Sequence, residues 1–171
     1  MLKKVLVVMG SDSDLPVMND TAKVLDELAV PYEIRISSAH RAPRKTAELA
    51  AGAAGRGFGV IVAGAGGAAH LAGVIAAETT LPVVAVPIKS GALSGLDALL
   101  AMVQMPSGIP VATVAINGAR NAGILAAQIL AQADDGLAER LSAFKAGLLD
   151  GVEKKDDKLQ RLGAEAYLAE K

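Results

Sequence analysis

The chain has 171 residues and a formal net charge of −1, which suits one globular domain and gives no field to steer it towards nucleic acid or an anionic membrane. It has no cysteine, so disulfides and thiol chemistry are excluded. Residues Met1 to Met9 enter a strand-like run directly, and no apolar run reaches the roughly 20 residues of a membrane helix. We therefore expect a cytoplasmic protein whose partners are neither nucleic acid nor a membrane.

Short β-branched runs alternate with longer helical stretches along the first 130 residues. The predicted strands are Val5–Met9, Tyr32–Ile36, Val60–Ala63, Val83–Val86 and Val111–Ile116. The predicted helices are Leu15–Leu28, Pro43–Gly55, Ala69–Glu78, Leu93–Gln104 and Asn121–Leu130. Such alternation is typical of a parallel sheet with right-handed crossovers. Five strands indicate the α/β class, as a flavodoxin-like three-layer sandwich with strand order 2-1-3-4-5.

The pattern changes after Leu130, where Gly136–Leu149 and Lys155–Ala169 are predicted to be charge-rich amphipathic helices. We interpret residues 1–171 as a single domain, with an α/β core over 1–133 and a C-terminal helical extension over 134–171. The stretches Ala69–Ala77 and Ala122–Ala133 carry almost no charge, whereas a surface helix normally has a polar face. We expect other subunits of a homo-oligomer to cover these two stretches.

Polar or glycine-rich segments follow four of the predicted strands. In a doubly wound sheet, ligands bind at the carboxyl ends of the strands, so these segments meet at one rim. We therefore predict a ligand site built from Gly10-Ser11-Asp12-Ser13-Asp14, Ser37-Ser38-Ala39-His40-Arg41, Gly64-Ala65-Gly66-Gly67-Ala68-Ala69-His70 and Lys89-Ser90-Gly91-Ala92-Leu93-Ser94-Gly95.

The first of these segments has the features of a phosphate site. Gly10 allows close backbone approach, Ser11 and Ser13 offer hydroxyls, and the free N–H groups of the helix that follows favour an anion. Asp14 could instead accept hydrogen bonds from ribose hydroxyls. Serine and aspartate are also the preferred N-cap residues, so capping explains the same residues equally well, and one residue can do both.

The second segment holds His40, one of only two histidines in the chain. A histidine gives or takes a proton near neutral pH, which makes His40 a candidate general acid and base. Arg41 beside it suits a phosphate or a carboxylate. The alternative for a lone histidine is a surface residue that caps a helix, and the rim position of His40 favours catalysis.

The third segment fits the dinucleotide-binding pattern G-x-G-x-x-A from Gly64 to Ala69. It follows the third strand rather than the first, and no acidic residue stands about 20 positions later. A bare glycine wall around a small planar ligand explains the segment better. His70 lies within an apolar stretch, where a buried structural histidine and a ligand contact are about equally consistent with the sequence.

Five motifs stand in order between Val5 and Leu130 and resemble one known family, the bacterial N5-carboxyaminoimidazole ribonucleotide mutases. These mutases are also called the catalytic subunit of phosphoribosylaminoimidazole carboxylase. The motifs are Met9-Gly10-Ser11-Asp12-Ser13-Asp14, Ser38-Ala39-His40-Arg41-Ala42-Pro43, Ala63-Gly64-Ala65-Gly66-Gly67-Ala68-Ala69-His70-Leu71, Ala92-Leu93-Ser94-Gly95 and Gln104-Met105-Pro106-Ser107-Gly108-Ile109-Pro110-Val111.

The resemblance implies a flavodoxin-like subunit of a homo-octamer. It implies an enzyme that converts N5-carboxyaminoimidazole ribonucleotide to 4-carboxy-5-aminoimidazole ribonucleotide in purine biosynthesis, without cofactor or metal. His40 would be the general acid and base, and Asp14 would bind the ribose. The phosphate would be held by Ser11, Ser13, Ser38 and Arg41. The carboxylate and the aminoimidazole would contact Gly64, Ala65, Gly66, Gly67, Ala68 and His70. The other substrate-binding positions would be Gly10, Ala39, Leu71 and Ser90.

Three alternatives to the mutase remain: two other classes of protein and one other branch of the same family. A dinucleotide-dependent oxidoreductase would show cofactor absorbance, and a non-catalytic nucleotide-binding module would need His40 for affinity alone. The related animal-type carboxylases carry Lys at the position of Arg41 and Gly-Arg-Ser-Asn in place of Gly64 to Gly67. This chain has the mutase version at both places.

Overall fold

The computed structural model describes residues 2–170, in which five parallel strands form one sheet. The strand order is β2-β1-β3-β4-β5, which confirms the predicted flavodoxin-like topology. The strands are β1 (Lys4–Met9), β2 (Tyr32–Ile36), β3 (Phe58–Gly66), β4 (Val83–Ile88) and β5 (Ala112–Thr113). The helices are α1 (Leu15–Glu27), α2 (Pro43–Ala51), α3 (Leu71–Ala77), α4 (Leu96–Val103), α5 (Ala119–Ala131) and α6 (Asp135–Ala169).

The central strands are apolar on both faces because helices cover both. Side chains alternate along a strand, so Val5 and Val7 of β1 join a core with α1, α5 and the start of α6. Leu6 and Val8 point the other way into a second core with α2, α3 and α4. This two-sided burial is typical of parallel sheets and fixes the register of the strands whose ends form the rim.

Helices α1 and α5 approach closely because Gly123 has no side chain. A Cβ at Gly123 would collide with Val24 and would lie 3.1 Å from the backbone oxygen of Thr21. The buried hydroxyl of Thr21 donates a 2.7 Å hydrogen bond to the backbone oxygen of Ala119. A glycine and a hydrogen-bonded threonine therefore let α1 and α5 pack at close range.

Several element boundaries differ from the predicted ones, because residues with positive φ interrupt the helices and the last strand is short. Helix α3 begins at Leu71 rather than Ala69, since Ala69 has φ 50°. Helix α4 begins at Leu96 rather than Leu93, since Ser94 and Gly95 have φ 53° and 92°. The strand predicted over Val111–Ile116 is reduced to β5, which pairs with β4 only at Ala112 and Thr113.

The C-terminal extension, α6, consists of two helical segments that meet at a kink at Gly163. Helical geometry continues through residues 150–154, where the sequence predicted a gap, and is interrupted at Gly163 (φ 72°, ψ 165°). The Nζ atom of Lys158 lies 2.7 Å from a carboxylate oxygen of Glu170 and 5.5 Å from the centre of the Tyr167 ring. Residues 12 positions apart in a straight helix would be about 18 Å apart, so the chain reverses direction after Gly163.

The chain itself buries part of α3 and α5, the two helices that we expect other subunits to cover. Leu71 and Ile75 of α3 and Ala126 of α5 are buried within one subunit. Apart from Leu15 and Ile36, the large exposed apolar side chains lie on two other surfaces. Around α4 they are Leu93, Leu96, Leu100 and Val103, and on α6 they include Leu148, Leu149 and Val152. Among residues 2–170, no helix is both long enough and apolar enough to span a membrane.

Candidate active site

A cleft of about 410 Å³ lies at the carboxyl ends of β1 to β4, at the predicted rim. It brings together the site positions that the family resemblance implies, except Gly64 and Ala68, which do not line it. Ala69, which has φ 50°, also lines the cleft, although it is not among the positions that the resemblance implies. The lining residues are Gly10, Ser11, Ser13, Asp14, Ser38, Ala39, His40, Arg41, Ala65, Gly66, Gly67, Ala69, His70, Leu71 and Ser90.

Gly64 serves the core rather than the cleft. A Cβ at this position would collide with the sulfur of Met18, which is fully buried on the α1 side of the sheet. The predicted glycine wall is therefore interrupted at its first member. Ala68, at the tip of the same loop, is exposed.

The segment after β1 folds into a capped turn. Ser11 is the N-cap of a 3-10 turn over Asp12–Asp14, and its Oγ accepts a hydrogen bond from the N–H of Ser13 (3.4 Å). The N–H of Ser11 donates in return to Oδ2 of Asp14 (3.1 Å). The capping role is thus present, and both serines line the cleft, with the Ser11 hydroxyl donating to Oδ1 of Asp12 (3.0 Å). Helix α1 starts directly afterwards.

Asp14 is the buried carboxylate of the site, with 9% of its surface exposed. Burial raises the pKa of Asp14 above its ordinary value of 3.8, while hydrogen bonds from the backbone of Ser11 and Gly10 act in the opposite direction. The nearby guanidinium of Arg41 also favours the ionised form. The carboxylate is an acceptor held at the cleft wall, which suits sugar hydroxyls.

Arg41 joins the segments after β1 and β2. Its Nη2 donates to the backbone oxygen of Gly10 (3.1 Å), and its Nε donates to Oγ of Ser38 (3.4 Å). The N–H of Arg41 also donates to the same Ser38 oxygen (3.2 Å). These contacts occupy two of the five side-chain N–H donors of the guanidinium, so most of them remain for a phosphate.

The two histidines of the chain meet in the cleft. Nε2 of His40 lies 2.8 Å from Nδ1 of His70, and the rings are edge to face at 82°. Both side chains are exposed to the cleft, so the alternative of a buried structural His70 does not describe its position. Among residues 2–170 this pair supplies the imidazoles of the cleft, which are the groups best suited to move a proton near neutral pH.

Ser90, after β4, is tied to the glycine loop after β3. The N–H of Gly67 donates to Oγ of Ser90 (2.8 Å). A Cβ at Gly66 would lie 2.7 Å from the same oxygen and 3.0 Å from the backbone oxygen of Ile88. Gly66 therefore makes room for Ser90, and the Ser90 hydroxyl keeps its hydrogen for a ligand.

The fold and this site define a flavodoxin-like domain whose cleft is suited to a phosphorylated ligand beside a pair of histidines. The profile of the AIR carboxylase family matches residues 4–150. The chain belongs to the AIR carboxylase family.

Individual relatives agree with this assignment over most of the chain. N5-carboxyaminoimidazole ribonucleotide mutase of Pyrococcus horikoshii is 56% identical over 164 residues, which is 96% of this chain and 93% of that protein. Phosphoribosylaminoimidazole carboxylase of Schizosaccharomyces pombe is 52% identical over 163 residues, which is 95% of this chain but only 30% of that protein. The crystal structure of Treponema denticola PurE is similar with a TM-score of 0.81 at 26% identity, covering 91% of this chain and 97% of that one.

Proposed function

We propose that the chain is an isomerase that converts N5-carboxyaminoimidazole ribonucleotide to 4-carboxy-5-aminoimidazole ribonucleotide in de novo purine biosynthesis. The observation that carries this proposal is the 56% identity to a mutase of nearly the same length. The carboxylase relative is more than three times as long as the stretch that it shares with this chain. The mutase version of the residues at Arg41 and at Gly64 to Gly67 supports the same choice.

The cleft offers a distinct place for each part of this substrate. The phosphate lies against Ser11, Ser13, Ser38 and Arg41, where hydroxyls and a guanidinium converge at the start of α1. The ribose hydroxyls donate to Asp14. The aminoimidazole and its carboxylate lie against the loop after β3, with the pair of histidines on one side and Ser90 on the other.

One histidine suffices for the chemistry. Protonated His40 gives its proton to the carbamate nitrogen, the N–C bond breaks, and its electron pair stays on that nitrogen as CO2 leaves. The ring carbon then uses the electron pair of the ring enamine to form a new C–C bond with the trapped CO2. Neutral His40 finally removes the proton from that ring carbon, which restores the aromatic ring and the protonated histidine.

The walls of the cleft suit the containment of CO2. Around the loop after β3 they consist of small or apolar residues, namely Ala65, Gly66, Gly67, Ala69 and Leu71. These five residues offer no nucleophilic side chain to a released CO2 molecule, which stays available to the ring carbon as long as water is kept out.

A homo-octamer is the assembly that we propose. The exposed leucines and valine around α4 form a stripe that one subunit leaves uncovered, and Leu93 and Ser90 lie in the same loop beside the cleft. A second copy on α4 would therefore also close the cleft on that side. Light scattering should give many times the 17.3 kDa subunit mass, and Leu100→Asp should reduce it through a buried unpaired charge. A wild-type monomer at micromolar concentration would contradict the assembly.

The proposed reaction is tested with isotopically labelled substrate. With labelled carboxylate in N5-carboxyaminoimidazole ribonucleotide and a large excess of unlabelled bicarbonate, the product should keep most of its label at early times. If the product instead draws its carboxylate from bicarbonate, and aminoimidazole ribonucleotide plus bicarbonate is the faster pair, the enzyme is a carboxylase. If the enzyme turns over neither substrate, it is neither a mutase nor a carboxylase.

A further inference from the structure

Two buried hydroxyls stand at the two ends of the loop that carries His40 and Arg41. Ser37 precedes this loop at the end of β2 and is 2% exposed, while Thr46 follows it in the first turn of α2 and is fully buried. The Oγ of Ser37 and the Oγ1 of Thr46 are 2.8 Å apart. A side-chain hydrogen bond therefore closes residues 37–46 into a ring.

The direction of this hydrogen bond follows from the next one. Thr46 Oγ1 donates to the backbone oxygen of Ala42 (3.1 Å), and a hydroxyl has only one hydrogen. Ser37 must therefore donate to Thr46, which gives a chain from Ser37 through Thr46 to Ala42. The backbone oxygen of Ala42 also accepts the N–H of Thr46 at 3.0 Å, so the end of the loop is held twice.

The loop has no buried residue of its own between these two ends. Residues 38–45 are all partly or fully exposed. The hydrogen bonds of their backbone N–H groups to Ser38 are local, from Ala42 N–H to the Ser38 oxygen (2.9 Å) and from Arg41 N–H to Ser38 Oγ (3.2 Å), whereas the side chains of His40 and Arg41 reach His70 and Gly10. Outside the loop, the N–H of Ser37 donates to the oxygen of Met9 (2.9 Å), which ties the entrance to the sheet. The link from Ser37 to Thr46 thus joins the end of β2 directly to the exit of the loop.

We propose that Ser37 and Thr46 are positioning residues, an inference that rests on the proposed function. Their hydrogen bond sets the height of the loop over the sheet, and so places His40 against His70 and Arg41 against Gly10. Two apolar side chains at positions 37 and 46 would fill the same space, but they would not fix the distance between the two ends of the loop. A displacement of about 1 Å at a reacting group can cost up to roughly a hundredfold in rate.

The test compares four variants with a matched control. Thr46→Val and Ser37→Ala each remove one hydroxyl, the double variant removes both, and Thr46→Ser keeps the hydroxyl. The control is Thr21→Val, which removes an equally buried hydroxyl that bonds Ala119 between α1 and α5 and does not line the cleft. Kinetics are normalised to the folded fraction, and the free energy of unfolding is measured for each protein.

We expect Thr46→Val to lower kcat roughly tenfold and to raise KM several-fold, since His40 and Arg41 move together. Thr46→Ser should stay within about twofold of wild type, and Thr21→Val should lose stability with wild-type kcat and KM. The double variant separates the contribution of the hydrogen bond to stability from its positioning of His40 and Arg41. Removing both partners of a buried hydrogen bond can be nearly neutral for stability, so it should recover stability while keeping the kinetic defect.

Amide hydrogen exchange gives a readout that does not depend on turnover. Exchange at Arg41 and Ala42 should be faster in Thr46→Val and in the double variant, and unchanged in Thr46→Ser and Thr21→Val. Unchanged exchange at these amides, or recovery of kcat together with stability in the double variant, would overturn the proposal. If wild type lacks mutase activity while the exchange pattern appears, the proposed function fails and the positioning of the loop stands.

Discussion

The Nε2 atom of His40 and the Nδ1 atom of His70 lie 2.8 Å apart, so the two imidazoles share one hydrogen bond. Such a bond needs one N–H and one lone pair, and therefore only one of the two facing nitrogens carries a hydrogen. His70 fixes the plane of the His40 ring from the loop after β3, while the loop after β2 fixes its position. The proposed acid and base is thus oriented by two different crossovers of the sheet.

His40→Asn should abolish turnover while the substrate still binds. The asparagine amide keeps a donor near the position of Nδ1, but it cannot give and take back a proton. The loss of kcat should be at least ~100-fold, the lower range for general acid–base catalysis. Kd for the substrate, measured by calorimetry, should change little. His70→Asn is the matched comparison, and its loss should be smaller because the acid–base group remains. A His40→Asn enzyme within a few-fold of wild type would remove His40 from the mechanism.

Ser11→Ala and Arg41→Ala should each weaken nucleotide binding, and inorganic phosphate should compete with the nucleotide in wild type. Hydrogen bonds to a charged group contribute roughly 1.5–3 kcal/mol each, which is a factor of about 10 to 150 in Kd. The dephosphorylated nucleoside should bind the variants and wild type alike. Arg44→Ala is the control, since Arg44 is exposed and does not line the cleft. Equal affinity of wild type for nucleotide and nucleoside would show that the phosphate assignment is wrong.

The fold was predictable from the sequence because apolar runs and their spacing report on burial, and burial dominates a parallel sheet. The predicted element boundaries that were wrong depend on backbone angles that cannot be inferred from the residue type. Ala69, Ser94 and Asn117 all have positive φ, a conformation that is uncommon for residues other than glycine. Gly163, within a predicted helix, interrupts α6, whereas Gly151, within the predicted gap, is helical.

The site was predictable as far as topology decides it, since the carboxyl ends of parallel strands must share a rim. Which wall a residue faces was harder to predict, although one signal was available. Side chains alternate along β3, so Gly64 lies on the same face as Val60 and Val62, towards α1 and Met18. The link between Ser37 and Thr46 had no such signal, because it needs the exact geometry of a turn.

Asp14→Asn should keep or raise stability while it weakens substrate binding. Burial raises the pKa of Asp14 in the folded protein above the ordinary value of 3.8 that applies to the unfolded chain. Between these two pKa values the unfolded chain has lost the Asp14 proton and the folded protein still holds it. The free energy of unfolding therefore falls as the pH rises through this interval. Below pH 3.8 this cost is absent. An amide avoids the cost and its oxygen can still accept the N–H of Ser11.

Thermal unfolding at pH 4 and pH 7 tests the sign of this effect. The difference in Tm between Asp14→Asn and wild type should be larger, and in favour of the variant, at pH 7. A variant that loses stability on going from pH 4 to pH 7 relative to wild type would show that the carboxylate is stabilised in the folded protein. Loss of nucleotide affinity in the same variant is expected independently of that outcome.

Gly66→Ala should impair both folding and activity, because the added methyl would displace Ser90. The new Cβ would lie 2.7 Å from Ser90 Oγ and 3.0 Å from the backbone oxygen of Ile88, and the second of these atoms cannot move without distorting β4. Overpacking of this kind costs roughly 1–3 kcal/mol. The N–H of Gly67 would also lose its acceptor, so the loop that bears His70 should shift and kcat should fall at least about tenfold.

Gly55→Ala is the control for the Gly66→Ala experiment, since a Cβ at Gly55 meets no atom within 4 Å, and it should be neutral within about 0.5 kcal/mol. A double-mutant cycle with Ser90→Gly identifies the cause. If the clash with Ser90 is responsible, Gly66→Ala should add little to the defect of Ser90→Gly, and the interaction energy should be large. Additive losses would place the effect on Ile88 and the strand instead. Wild-type stability and turnover in Gly66→Ala would show that the loop after β3 has room to spare, and that the coupling of Gly66, Gly67 and Ser90 does not shape the cleft.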